Sequence, residues 1–286
     1  MKKAFSLFCL ILIAVYVALS LLGAKSLYIA EMRFWKARAL AQKVVQSPEA
    51  TPPLLFEKTR QRFEKIMEEY PENRALIKES LLAISGLFIH EKRYQEARDF
   101  IYNAKKKYPD DKSFGARTQF LLGFSYEKGG DWEAAVREYR LLRDRYPDSQ
   151  LGLEVPLYIA RHDVKQDSEK GAGSYEEAAA YYRQLIQNTP TKTPLKYFAL
   201  SYLLTGYDER RQWDRSLSVV QEIVVTYPKL LRVYVPKIEM LTRRLKQPQR
   251  AIDVYEAFIQ AHPKHKDVPL LKKRIEGLTK RLQHVS

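Results

Sequence analysis

Glycine is scarce in this chain, 11 of 286 residues, and cysteine occurs once. Few glycines weigh against a turn-rich β protein, and the 14 prolines fall at punctuation points instead of in runs, which suits helices joined by short turns. The lone Cys9 lies inside an apolar stretch. An intramolecular disulfide and a cysteine-built metal site are therefore excluded. A lipid-modified cysteine is not expected either, because Phe8 stands where a small residue is needed and only five residues separate Cys9 from Lys3. The histidines are dispersed at His90, His162, His262, His265 and His284 and belong to no nucleophile or metal motif. His262, His265 and Asp267 come closest and read as turn residues, so no metal, cofactor or catalytic residue is expected. The run Gly171 to Ser174 has no strand before it and is predicted to be a flexible loop, not a phosphate cradle. Zinc-finger spacing, a glycine-rich aromatic RNA-binding motif and blocks of five consecutive basic residues are all missing. Nucleic acid is accordingly not an expected class of partner.

What is present is an ordinary foldable composition, 45% apolar and 29% charged, with 49 basic against 34 acidic residues and a formal charge of +15. That excess favours acidic proteins or anionic surfaces. Residues 4–24 carry no charge and come directly after Lys2 and Lys3. At about 1.5 Å per residue, a helix of this length spans roughly 30 Å, the thickness of bilayer hydrocarbon. We read residues 1–24 as a membrane anchor, with a cleaved signal peptide as the alternative because Ala18-Leu19-Ser20 offers small residues. The leading lysines favour export of the repeat region, although Lys25, Arg33, Lys36 and Arg38 add positive charge on the far flank. Tyr28, Phe34 and Trp35 are predicted either at the membrane interface or in the first helix pair.

Six proline-centred endings recur: EEYPEN at Pro71, KKYPDD at Pro109, DRYPDS at Pro147, QNTPTK at Pro190, VTYPKL at Pro228 and QAHPKH at Pro263. Their spacings are 38, 38, 43, 38 and 35. A period in this range with helical patterning between the prolines predicts repeated helix-turn-helix units and an all-α chain. The unit from Ala116 to Ser149 is the most complete. It places Leu122, Gly123 and Tyr126 on a first helix, Gly130 and Asp131 at a turn, Trp132, Ala135 and Tyr139 on a second helix, and Pro147 at the end.

That order of residues resembles the tetratricopeptide repeat. Worn copies carry Tyr94, Ala97 and Ala104; Tyr175, Ala178 and Tyr182; Leu203, Tyr207, Trp213 and Ser216; and Ala251 and Tyr255. A partial copy has its first helix at about Leu27 to Gln46 and its second around Phe56, Phe63 and Ile66. The resemblance implies a right-handed α-solenoid: residues 25–77 a juxtamembrane helix and degenerate repeat, 78–265 about five repeats, and 266–286 a capping helix. That cap is predicted to be apolar along Leu270, Ile275, Leu278 and Leu282. The segment Gln166 to Ser174 is predicted to lengthen the connection inside the third clear unit. The tyrosine-proline endings and the tether are also similar to bacterial envelope repeat proteins of the β-barrel assembly and Tol-Pal kinds.

The same resemblance implies that a groove lined by the first helices binds other proteins or peptides. Carried over position by position, it names Leu82, Gly86, Ile89 and His90, then Arg117, Phe120, Phe124, Glu127 and Lys128. Further along it names Leu157, Arg161, Val164 and Lys165, then Phe198, Ser201, Thr205 and Asp208, and finally Val233, Met240, Arg243 and Arg244. Phe120 and Phe124 are the expected apolar anchors, and Arg117, Lys128, Arg161 and Lys165 the partners of carboxylates. The asparagines of the family's carboxylate-clamping mode are absent. The expected function is a membrane-anchored scaffold in a bacterial envelope, its repeats on the periplasmic side. A self-associating structural component and, more remotely, an enzyme accessory subunit are the alternatives.

Overall fold

The computed structural model describes residues 27–283. Among them there are thirteen α-helices and no strand. They are α1 (Leu27–Gln46), α2 (Pro53–Glu69), α3 (Arg74–His90), α4 (Tyr94–Lys107), α5 (Lys112–Lys128), α6 (Trp132–Arg145) and α7 (Gln150–Gln166). The series continues with α8 (Ser168–Asn188), α9 (Pro194–Glu209), α10 (Trp213–Thr226), α11 (Leu231–Leu245), α12 (Gln249–Ala261) and α13 (Val268–Gln283). The run at residues 4–24 lies outside the described residues, as does its reading as an anchor. No described helix is long and apolar enough to cross a membrane.

The proline endings work by stopping one helix and starting the next. Tyr70, Tyr108 and Tyr146 leave the helical region at the ends of α2, α4 and α6. The proline that comes next lacks the N–H that would continue the helix. Two residues later Asn73, Asp111 or Ser149 accepts a hydrogen bond from the backbone of Leu76, Phe114 or Gly152, at 3.1, 2.9 and 2.9 Å. Such a cap stabilises a helix by about 1 kcal/mol. Inside the pairs the turn is equally regular. After α3, α5, α9 and α11 a residue adopts a left-handed conformation: Lys92, Gly130, Arg211 and Lys246. The next amide, of Arg93, Asp131, Gln212 or Gln247, donates to the carbonyl of Phe88, Tyr126, Tyr207 or Thr242. This satisfies a carbonyl that the helix end leaves open.

The chain forms two compact units, residues 1–146 and 147–286. That division falls inside the stretch read above as one run of repeats, 78–265. In the first unit α1 packs on α2 and α3, and α3 packs on α5. Phe34 meets Phe63 edge to face at 5.8 Å, so the worn first pair has the helices the sequence predicts. Gly123 and Tyr139 set the spacing of α5 and α6, since a β-carbon on Gly123 would fall 2.4 Å from the tyrosine ring. Ala97 and Ala135 are fully buried, as their role as small packing residues requires. In the second unit the core runs from Leu157 through Ala178, Tyr182 and Leu203 to Ala251, Tyr255 and Leu271.

Three expectations need correction. The stretch Gln166 to Ser174 is not a loop: Asp167 alone separates α7 from α8, and the 21-residue α8 absorbs the extra length. The Asp167 carboxylate caps the amides of Glu169 and Lys170 at 2.7 and 3.2 Å. The Ser174 hydroxyl donates to the buried Asp163 at 2.6 Å. Gly171 sits against α7 so closely that a β-carbon would lie 2.5 Å from the Val164 α-carbon. Gly171 thus serves close helix approach, not flexibility. Second, Pro156 and Pro236 lie inside α7 and α11, so not every proline is punctuation. Third, α13 buries Val268 and Leu271, while Leu270 faces outward. Ile275 and Leu278 do pack on the core.

Candidate functional site

The predicted groove residues fall into both units, and each unit is described by itself. In the first, the α5 residues Phe120 and Phe124 stack on one another at 6.1 Å with rings 12° apart, and Phe120 rests on Tyr139. The Lys128 ammonium lies 5.1 Å from the Phe124 ring. Burial and this lysine together hold the His90 imidazole below its usual value. Arg117 is not free to greet a partner, because both its terminal nitrogens donate to the Glu79 carboxylate, one at 2.9 Å. Leu82 and Ile89 are core residues, so they cannot line a groove. Both come from a helix whose apolar residues wrap most of its circumference, so position along the repeat does not tell inside from outside. Glu127 receives the Tyr139 hydroxyl at 2.7 Å and serves the packing of α5 on α6.

In the second unit Arg161 is likewise engaged, donating to Glu209 at 2.7 and 3.1 Å. The Tyr175 hydroxyl donates to the same carboxylate at 2.7 Å, and burial with that carboxylate pushes the phenol up to about 12. The Arg161–Glu209 pair raises the arginine still further above its ordinary range. Lys165 is exposed at the end of α7, whereas Leu157 is buried, a further correction. Phe198 and Val233 are exposed, 49% and 70%, and remain available for contact. Asp208 pairs with Lys237. Arg244 covers the Trp213 ring at 4.5 Å.

Arg243, a predicted groove residue, leads to a cleft whose other wall the repeat pattern does not name. It lines a cleft of about 750 Å³ between α11 and α13, with Glu239, Thr242, Lys246, Pro248, Leu270, Lys273, Arg274, Gly277, Leu278 and Arg281. The α11 positions are spaced three and four apart, and so are those of α13, so each helix turns one face to the cleft. Five cations line the cleft with one carboxylate, Glu239, which is already bound by Arg274. Neither Arg243, Lys246 nor Lys273 has an ion pair among the described residues. Pro248, Leu270 and Leu278 give the cleft an apolar wall. The sequence signal for it was the spacing of Lys273, Gly277 and Arg281, which the reading of α13 as a cap passed over.

His262, His265 and Asp267 precede α13 and are engaged in different contacts. Asp267 receives Arg232, one bond measuring 2.9 Å, and His262 Nε2 lies 2.6 Å from the Val225 carbonyl. No group of three or more potential ligands occurs among the described residues.

Residues 117–149, which span α5, the Gly130 turn, α6 and Pro147, match the family described as "Tetratricopeptide repeat". The chain carries a tetratricopeptide repeat. No curated protein sequence matches the chain. Among solved structures it is similar to BtubC of P. vanneervenii at 13% identity, covering 85% of this chain and 92% of that one with a TM-score of 0.37. A thermophilic TPR protein of Thermus thermophilus is 18% identical over 71% of this chain and 98% of that one, TM-score 0.33. The TPR2AB domain of yeast Sti1, solved in complex with pHSP90, is 12% identical over 88% and 98%, TM-score 0.34. The tetratricopeptide character itself rests on the matched repeat and on helix pairs that share its turn, its caps and its small-against-aromatic packing.

Proposed function

We propose that the chain is a membrane-tethered scaffold that holds an acidic segment of a partner protein in the cleft between α11 and α13. The carrying observation is charge: Arg243, Lys246, Lys273, Arg274 and Arg281 surround a recess whose single carboxylate is already satisfied. An acidic side chain entering there gains charge-assisted hydrogen bonds, and the Leu270 and Leu278 wall accepts an apolar neighbour. Phe198 and Val233 supply exposed apolar contacts elsewhere in the same unit. The Arg117 and Arg161 model is set aside, because a partner's carboxylate would have to displace Glu79 or Glu209 first. The uncharged run at 4–24 supports tethering, and its leading lysines support a repeat region outside the cytoplasm, in the envelope of a bacterial-type cell.

A photo-crosslinking residue at position 270, used in cells, tests the cleft. The adduct should map to an acidic stretch of the partner. Combined Arg243→Glu and Lys273→Glu reversal should cut its yield by about tenfold or more, with the melting temperature unchanged because neither side chain is buried. An undiminished yield would sink the proposal.

A further inference from the structure

Helix α1 is apolar on two opposite sides. Its inner stripe, Ala30, Phe34, Ala37 and Val44, is buried against α2 and α3. Its outer stripe, Tyr28, Met32, Trp35 and Ala39, is spaced four, three and four residues apart and set two residues out of phase with the inner one. At about 100° per residue it therefore points away from the core. Tyr28 is 74% exposed, Trp35 58% and Met32 36%, with Leu27 beside them at 60%. No described residue of the first unit covers this stripe; Lys36 and Lys43 flank it on one side, Arg38 and Glu31 on the other.

We infer that this outer face of α1 lies on the surface of the bilayer into which residues 4–24 insert. The inference rests on the tethering reading above. Only Lys25 and Ser26 separate the uncharged run from α1, at most about 11 Å of extended chain. A helix starting that close to the membrane has a lipid surface as its nearest partner. Its composition fits that surface: Tyr28 and Trp35 have the amphipathic rings that concentrate at membrane–water interfaces. Met32 and Leu27 supply apolar depth, and Lys36, Lys43 and Arg38 sit where headgroup phosphates would be. The Arg38 guanidinium rests 5.1 Å from the Trp35 ring, leaving its charge at the edge of the stripe. An outward row holding a tyrosine and a tryptophan marks a contact surface.

The chain has three tryptophans, so Trp132→Phe with Trp213→Phe leaves Trp35 as the only indole. This full chain is reconstituted into phosphatidylcholine vesicles containing phosphatidylglycerol, with and without lipids brominated near the headgroup. Flotation with the vesicles reports the tether, and Trp35 emission reports the face. Flotation with about a twofold or greater loss of emission on brominated lipid is the expected result. Flotation with unchanged emission overturns the inference and leaves the tether standing. Failure to float overturns both. Should the double variant fail to fold, Tyr28→Cys in a Cys9→Ser chain, carrying an environment-sensitive dye, gives the same readout. Disulfide-linked pairs through the introduced thiol, without lipid contact, would assign the stripe to a second copy instead.

Discussion

Tyr139 joins three roles in one side chain: its ring fills the space left by Gly123, its edge meets Trp132, and its hydroxyl reaches Glu127. Removing only the hydroxyl, in Tyr139→Phe, should cost about 1 kcal/mol in denaturant unfolding. Gly123→Ala should cost about 1–3 kcal/mol, because the added carbon collides with a fully buried ring. His90 gives a pH signature. Its folded-state value lies below 6.5, so its neutral form is the one the fold favours. That contribution is complete above pH 6.5 and fades as the pH falls through the depressed value. His90→Gln should flatten the dependence of the melting temperature on pH below 6.5, and an unchanged slope would assign the effect elsewhere. At this scale much was legible beforehand, since Gly123, Ala135 and Tyr139 announce their packing by type and spacing. Leu82, Ile89 and Leu157 were not, because on a helix apolar nearly all round a leucine's spacing does not reveal whether it faces the core.

Among elements, α8 is the instructive case. A glycine-rich stretch that reads as a loop becomes a helix because Asp167 caps it and Asp163 holds Ser174 from the neighbouring helix. The α7 partner that decides this is supplied only by folding. Two neighbouring glycines then part company. Gly171→Ala should destabilise by about 1–3 kcal/mol, since its β-carbon meets the Val164 backbone. Gly173→Ala, with open space around it, should stabilise by up to about 1 kcal/mol through helix propensity. Thermal unfolding of the pair checks the contrast, and equal shifts of the same sign would refute the packing account. The paired arginines make a related point: composition shows a basic face on α5 and α7, but only the fold shows that Glu79 and Glu209, 38 and 48 positions away, already answer Arg117 and Arg161.

For the whole molecule, the proline period made the all-helical architecture and nearly all pair boundaries readable, because each repeat encodes its own stop and start. The C-terminal cleft was readable only in part: the repeat pattern names Arg243 on its α11 side, whereas its other wall comes from α13, beyond the last repeat. The charge of +15 carries a molecular-scale expectation. Capture of an acidic segment should weaken steeply between about 0.1 and 1 M salt, over which the screening length falls from about 10 to 3 Å. Binding measured across that range checks it. A salt-independent affinity would point to an apolar contact at Phe198 and Val233 instead.

Four of the five described left-handed residues occupy one repeat position, each 17 residues before a closing proline: Lys92 before Pro109, Gly130 before Pro147, Arg211 before Pro228 and Lys246 before Pro263, while the fifth, Lys192, follows Pro190. Only one of the four is the glycine that this backbone prefers, and the other three are cations. Replacing Lys92, Arg211 or Lys246 by glycine should raise stability by about 0.5–1 kcal/mol each, the left-handed penalty less the extra freedom of glycine in the unfolded chain. Such variants would make a hardier protein with a less positive rim. A selection for heat resistance alone would favour glycine at these three turns, where the chain carries a cation instead.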